Sequence, residues 1–304
     1  MNIKVNHNKT QQKQGFTLLE LVIVIAILAV IGGAALVSYD GLDQKAAKSQ
    51  ATFNLAAIDK GVRLFKVVGG DYPSNLDLLT LSDTTVGDVT GDEAVTATAG
   101  GFFSRLTREL EGADANKATS DGSLHFFQAT AAIADAFAEA GIETVRGIAD
   151  ASDTATAFDI ANRAFDDPNS GVGASVAMAA DLVLPIVKSK NLGATDSSLL
   201  QNITGLDSDT THIVVALGLG NNATIVSDNI GVNSASFSEA PFYSDVASTE
   251  YGRFILLFHV ASDANANDAI EDGEVFSSVR FVGALDAEGN WLDQEFSESV
   301  GTKS

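Results

Sequence analysis

Two places in the sequence put acidic side chains where they can do chemistry. The first is Asp263-Ala-Asn265-Ala-Asn267-Asp268-Ala269-Ile270-Glu271-Asp272-Gly273-Glu274, a twelve-residue run of the D-x-N-x-N form. It sets side-chain oxygens at positions one, three, five, nine and twelve (Asp263, Asn265, Asn267, Glu271, Glu274), with a backbone carbonyl at Ala269. Calcium takes about six to eight oxygen ligands, and this spacing folds them around one point. Two features oppose the reading: Asp268 stands where such a loop turns on glycine, and the flanks RFILLFHVAS and VFSSVRFVGAL have strand character. A solvated acidic hairpin loop is therefore the competing reading. The second place is Glu20, the single charge in the 22 residues from Phe16 to Val37. A carboxylate inside an apolar segment costs about 2.5–3.5 kcal/mol on insertion scales unless it finds a partner, so its presence asks for a function.

Other candidates are weaker. Gly87-Asp88-Val89-Thr90-Gly91-Asp92-Glu93 is a shorter acidic run, and Gly218-Leu-Gly220-Asn-Asn-Ala echoes a nucleotide-binding loop with the wrong flanks. His125, His212 and His259 have no partner at metal-ligand spacing and read as structural. The pairs Phe102-Phe103 and Phe126-Phe127 read as core. With no cysteine there is no disulfide, thiolate site or cysteine nucleophile. No G-x-S-x-G elbow, P-loop or H-E-x-x-H occurs, so no enzyme is expected. Forty acidic residues against 18 basic ones, a net charge of −22, exclude a non-specific nucleic-acid binder.

The elements that position these groups begin at the N-terminus. Residues 1–15 hold Lys4, Lys9 and Lys13 and no acid. From Leu21 to Val37 there are 17 consecutive apolar or glycine residues. The 22-residue stretch from Phe16 makes about 33 Å of helix, enough to span a hydrocarbon core with the lysines on the cytoplasmic side. A signal peptide would carry a shorter core and a small-residue cleavage site behind it.

Behind its basic leader, Gly15-Phe16-Thr17-Leu18-Leu19-Glu20 resembles the class III signal of type IV pilins and type II secretion pseudopilins. Gln14 departs from the basic residue usual before the glycine, with Lys13 one place earlier. The resemblance is close over about residues 10–40 and extends weakly to Gly70-Asp71-Tyr72-Pro73. It implies cleavage between Gly15 and Phe16 by a prepilin peptidase and N-methylation of Phe16. In a helical filament of copies of the chain, Glu20 of one subunit would neutralise the Phe16 amine of its neighbour, a pair worth most in low dielectric. Further partners implied are an inner-membrane assembly platform and its ATPase. Some members of the family are similar in lacking a disulfide and using calcium near the C-terminus.

Further along, Leu55, Ile58, Val62, Phe65 and Val68 share one helical face, so a single helix is expected over 16–68, membrane-spanning to about 38 and ended by Gly69-Gly70 and Pro73. Residues 69–101 read as a loop region, 102–200 as an alanine-rich helical insertion, and 201–304 as an antiparallel β-sheet region with strands at HIVVALGL, RFILLFHVA, VFSSVRFVGAL and NWLDQEF. The expected fold class is α+β and pilin-like: a long N-terminal helix packed on a C-terminal antiparallel sheet, with the helical insertion between them.

The functional expectation is a prepilin, a structural subunit of a type IV pilus-like filament, in the inner membrane before assembly and extracellular after it. A type II secretion pseudopilin, in a periplasmic pseudopilus, is the nearest alternative. A membrane-anchored extracytoplasmic binding module is the third.

Overall fold

A computed structural model describes residues 17–81, 124–148, 174–180, 182–187, 189, 198–226, 237–243, 251–267 and 270–299. The chain divides into two compact units, Met1–Ala46 and Ala47–Ser304. Helix α1 covers Leu18–Gly69. In the first unit its residues 18–34 are solvent-exposed, apolar side chains included. Among the described residues no helix is long and apolar enough to cross a membrane. The side chains of 35–45 lie outside the described ones, whereas the apolar run of the sequence continues to Val37.

In the second unit, α1 buries Ala51, Leu55, Ile58 and Val62, spaced four, three and four residues apart. Phe65 packs at the margin of this core. Val68, expected on the same face, is 53% exposed because the helix ends one residue later, beyond the domain it covers. The Gly70 amide closes the helix on Lys66 O at 2.9 Å.

The described strands form one eight-stranded sheet. They are β1 (Leu76–Leu81), β2 (Leu124–Gln128), β3 (Thr144–Ile148), β4 (Ala174–Ala177), β5 (Val183–Val187), β6 (His212–Gly218), β7 (Ile255–Ser262) and β8 (Val275–Leu285). The described helices of the unit besides α1 are α2 (Ala131–Glu139), α3 (Ser198–Thr204) and α4 (Leu292–Ser299). Strand β6 is the hub: β7 runs antiparallel along one edge from His212↔Ser262 to Gly218↔Ile255. The other edge is shared by β5, at Ile186↔Val215, and β1, at Asp77↔Gly218 and Leu78↔Leu217. All seven residues of β6 and the first seven of β7 are buried, which is why they read as continuous apolar runs. Phe258 of β7 joins helix and sheet, lying edge-on to Tyr72 (5.6 Å), Phe137 of α2 (6.2 Å) and its cross-strand partner Phe281 (5.9 Å). The Arg63 guanidinium of α1 caps Phe281 at 5.2 Å and pairs with Asp59 at 3.0 Å.

On β1, Asp77 is fully buried and accepts a 2.8 Å hydrogen bond from the Tyr251 hydroxyl. Glycines admit this arrangement: a Cβ at Gly218 would overlap the Tyr251 hydroxyl, and one at Gly220 would press on the Asp77 carboxylate.

Three expectations are corrected. The helical insertion expected over 102–200 is not borne out where the segment is described: among the described residues it holds β2, β3, β4 and β5 beside α2 and the start of α3, while 102–123 and 149–173 lie outside them. Short apolar runs carry no decisive period, and Pro185 inside VLPIV excludes a helix there. The sheet is not confined to 201–304 nor wholly antiparallel, since β1 joins it from the expected loop region 69–101 and pairs β3 in parallel. NWLDQEF is not a strand: α4 begins at Leu292, with Asp293 and Glu295 in its first turn, where the helix dipole favours acids. The α+β class, a long helix packed on a largely antiparallel sheet, stands. The remainder of the expected loop, 82–101, and the Phe102-Phe103 pair lie outside the described residues.

Truncating Ile58, which is fully buried, to alanine should lower the unfolding free energy of the full-length protein by about 2–5 kcal/mol in denaturant titration. Val67→Ala, at an 81% exposed position on the same helix, should stay within about 0.5 kcal/mol of wild type.

Candidate functional site

Gly15 and Phe16, the expected processing residues, lie outside the described residues, as do Gly87–Glu93, Asp268 and Ala269. Glu20 sits in the first turn of α1 and is exposed in the single chain. Its Oε2 accepts from the Thr17 amide at 2.9 Å and the Thr17 hydroxyl at 3.0 Å, while its own amide donates to Thr17 Oγ1 at 3.3 Å.

The acidic loop joins β7 to β8 and closes on itself. Glu274 reaches back across it: Oε1 accepts from the amides of Ala264 (2.8 Å) and Asn265 (3.2 Å), and Oε2 from that of Glu271 (3.1 Å). The Asn267 amide is shared by Asp263 Oδ1 at 3.3 Å and Asn265 Oδ1 at 2.9 Å, and its side-chain nitrogen donates to Glu271 at 3.2 Å. Five of the six expected donors, Asp263, Asn265, Asn267, Glu271 and Glu274, are thus drawn into one network around the loop. Within the described part of the turn Ala266 is left-handed, at φ 58°. Each of these donors already accepts or donates within the loop, so an ion would have to displace some of those bonds.

A tighter acidic group was not expected from the sequence. Asp286, Glu288 and Glu295 each offer an oxygen within 4.8 Å of the others, at 0, 6 and 0% exposure. Asp286 Oδ1 accepts from the amides of Glu288 (2.8 Å) and Asn290 (2.9 Å). The Asn290 side chain donates to Asp286 at 3.3 Å and Glu295 at 3.1 Å, and the Tyr243 hydroxyl donates to Glu288 at 2.7 Å. Burial, then the hydrogen bond and repulsion from Glu295, hold Asp286 well above the usual carboxylate range. Burial and the same acids push the Tyr243 hydroxyl upward. A proton held among these carboxylates does what a hard cation would do, and an all-oxygen donor set is the kind that calcium or magnesium takes. The signal D-x-E-x-N was in the sequence, but Tyr243 comes from 43 residues before Asp286, and α4 had to be a helix to swing Glu295 inward.

His212 and His259 are not isolated. His212 Nδ1 of β6 lies 3.2 Å from His259 Nε2 of β7, and the Ser262 hydroxyl sits 2.8 and 2.9 Å from these two nitrogens. His212 Nε2 faces the Asp207 carbonyl at 3.0 Å and His259 Nε2 that of Ala261 at 3.0 Å. Carbonyls only accept, so a proton on each Nε2 satisfies these two contacts. Burial pulls both below the ordinary histidine value, His259 to about 4, with the charge of His212 as a further cause for His259.

With this geometry in place, comparison with known proteins defines the N-terminal segment: residues 10–36 match the prokaryotic N-terminal methylation motif. The match covers the Gly15–Glu20 segment on which the resemblance to type IV pilins and pseudopilins rests. Among similar proteins is the type II secretion system core protein G of Escherichia coli K12, 31% identical over 65 residues, covering 21% of this chain and 45% of that protein. Core protein G of Vibrio cholerae serotype O1 is 26% identical over 106 residues, covering 35% and 70%. That of Dickeya chrysanthemi is 31% identical over 64 residues, covering 21% and 42%. The chain thus spans less than half the length of two of these relatives. No solved structure matches it.

The histidine pair gives a pH dependence of defined sign. The unfolded rings titrate near the ordinary value of about 6.5, so the stability they contribute is lost as pH falls from about 6.5 towards 4. Asp286 opposes this, its raised value costing stability as pH rises. The pair is therefore isolated by difference: the thermal midpoint gap between wild type and His259→Asn should narrow steadily from pH 7 to pH 4.

Proposed function

We propose that this protein is a pseudopilin-class subunit of a type II secretion pseudopilus, processed between Gly15 and Phe16 by a prepilin peptidase and N-methylated at Phe16. The observation that carries the reading is the methylation motif at residues 10–36, over an apolar stretch from Phe16 to Val37 whose one carboxylate is Glu20. Relatives named type II secretion system core protein G support the pseudopilus over a surface pilus, the assembly that the sequence alone put first. The stretch from Phe16 to about 38 anchors the subunit in the inner membrane with its leader in the cytoplasm and residues 47–304 outside. Assembly by the membrane platform and its ATPase pairs Glu20 of one copy with the Phe16 amine of the next. The role is structural, and no reaction is assigned to the chain.

Deleting the gene in the native host tests this. Loss of secreted enzymes from the medium, with surface fibres unchanged, is the expected outcome. Sheared surface fibres built of this chain would instead identify a pilus subunit, and Glu20→Ala subunits cross-linking to one another as wild type does would leave a membrane-anchored binding module.

Calcium belongs to the same proposal, held by Asp263, Asn265, Asn267, Glu271, Glu274 and the Ala269 carbonyl. The convergence of five donors on one loop supports it, and the buried Asp286–Glu288–Glu295 group is the rival location. An ion bound only by the folded state stabilises it by about 2.7 kcal/mol at a hundredfold excess over its dissociation constant. The full chain in detergent should therefore melt higher in excess calcium than in chelator, and Glu274→Ala should erase the difference. Erasure by Glu295→Gln instead would move the ion to the buried group, and equal midpoints in the wild type would remove it from both.

A further inference from the structure

His212 and His259 adjoin in the fold although 47 residues separate them in the chain. A break in strand register puts them on one face. In the β6–β7 ladder His212 stands opposite Ser262 and Ile213 opposite Ala261, but Val214 stands opposite His259, so Val260 is an extra residue on β7. In an unbroken strand the face that carries Ser262 would carry Val260 next, and the bulge turns His259 onto it instead. Bulges that re-aim a side chain in this way are over-represented beside functional sites.

Four donor atoms meet on that face at the spacing of a metal's coordination shell. His212 Nδ1 lies 3.2 Å from His259 Nε2, and Ser262 Oγ lies 2.8 Å from the first and 2.9 Å from the second. The Ala261 carbonyl oxygen is 3.0 Å from His259 Nε2. Bonds of about 2.0–2.1 Å to one ion set neighbouring ligands roughly 2.9 Å apart in an octahedron and roughly 3.4 Å apart in a tetrahedron. With its proton on Nε2, held by the Asp207 carbonyl at 3.0 Å, His212 presents the Nδ1 lone pair to this point. An outer hydrogen bond of that kind is the usual support of a ligating histidine.

The surroundings suit an ion of moderate affinity. Both rings are nearly enclosed, at 6 and 5% exposure, while Ser262 is partly open to solvent and gives a way in. Burial holds both rings below the ordinary histidine value, which favours the neutral form that ligates. The opposing charge is Arg280 of β8, across the ladder from His259. Its guanidinium lies over the Phe276 ring at 4.5 Å, and that ring stands edge-on to His259 at 4.8 Å.

We propose that His212 Nδ1, His259 Nε2 and Ser262 Oγ form a binding site for a divalent late transition-metal ion, zinc or copper, with the Ala261 carbonyl as fourth donor and water completing the shell. Two imidazole nitrogens set this site apart from the acidic loop that begins at the next residue. Oxygen-only sets take calcium or magnesium, whereas imidazole takes zinc and copper. Binding moves the His259 proton from Nε2 to Nδ1, which releases the Ala261 oxygen to the ion, and Ser262 binds as a neutral hydroxyl. No proton leaves the protein and nothing is oxidised or reduced. The ion ties β6 to β7 across the bulge.

The full chain in detergent, with excess calcium present to occupy oxygen sites, is titrated with zinc by calorimetry. One zinc ion per chain should bind, and His212→Ala and His259→Ala should each weaken binding by at least about tenfold. Ser262→Ala should weaken it severalfold, and Glu274→Ala, in the acidic loop, should bind as wild type does. Wild-type affinity in either histidine variant would overturn the site, and so would a wild-type chain that takes up no zinc. Loss in Glu274→Ala with both histidine variants intact would move the ion into the loop. Copper loaded into the wild-type chain gives a readout that does not depend on the variants folding. Its electron paramagnetic resonance spectrum should carry hyperfine splitting from two imidazole nitrogens, and the spectrum of an oxygen-only or one-nitrogen shell would overturn the proposal.

Discussion

Carboxylates must be kept supplied with donors in a chain that has too few cations to supply them. Forty acidic residues face 18 basic ones, and several of the acids are buried. The structure meets this with neutral donors. Tyr251 serves Asp77, Tyr243 serves Glu288, Asn290 bridges Asp286 and Glu295, and backbone amides serve Asp286 and Glu274. Each arrangement ties together segments far apart in the chain. Asp77 and Tyr251 are separated by 174 residues, and their bond sits at the junction of β1 and β6. A charge supplied by neutral donors stays a charge, so these sites store a local demand for a proton or a cation.

The same logic explains what was readable beforehand. The amphipathic face Leu55–Ile58–Val62 and the apolar runs of β6 and β7 declare themselves by period and composition, and the structure uses them as read. Glu20 was legible because a lone acid in an apolar run has no ordinary explanation. Its partner Thr17 carries a local signal too, the Thr-x-x-Glu spacing. The Asp286 group was not legible, because it depends on α4 being helical and on a tyrosine brought in from another part of the fold. The histidine pair was invisible for a related reason: register across two strands makes it, and register is a tertiary fact. The middle of the chain misled because alanine-rich apolar segments of five residues suit strand or helix equally until neighbours decide.

The two units divide the physical tasks. Apolar surface dominates Leu18–Ala34, where the described side chains face solvent in the single chain. The second unit gathers its apolar groups inward around Phe258 and encloses several acids with them. One helix runs through both, and its described residues that are buried lie in the second unit. With no cysteine anywhere, no disulfide contributes to the stability of the second unit.

The wiring of β6 has a consequence for how the chain is made. The buried face of α1 around Ile58 is synthesised early, but the strands that complete its core, β7 and β8, end at Leu285, more than 200 residues later. At roughly 5–20 residues per second, that is on the order of ten to forty seconds during which the core over that apolar face is unfinished. No N-terminal fragment ending before β7 holds a finished core, so the domain folds late and as a whole. Until then the nascent helix depends on whatever shelters apolar surface along its route.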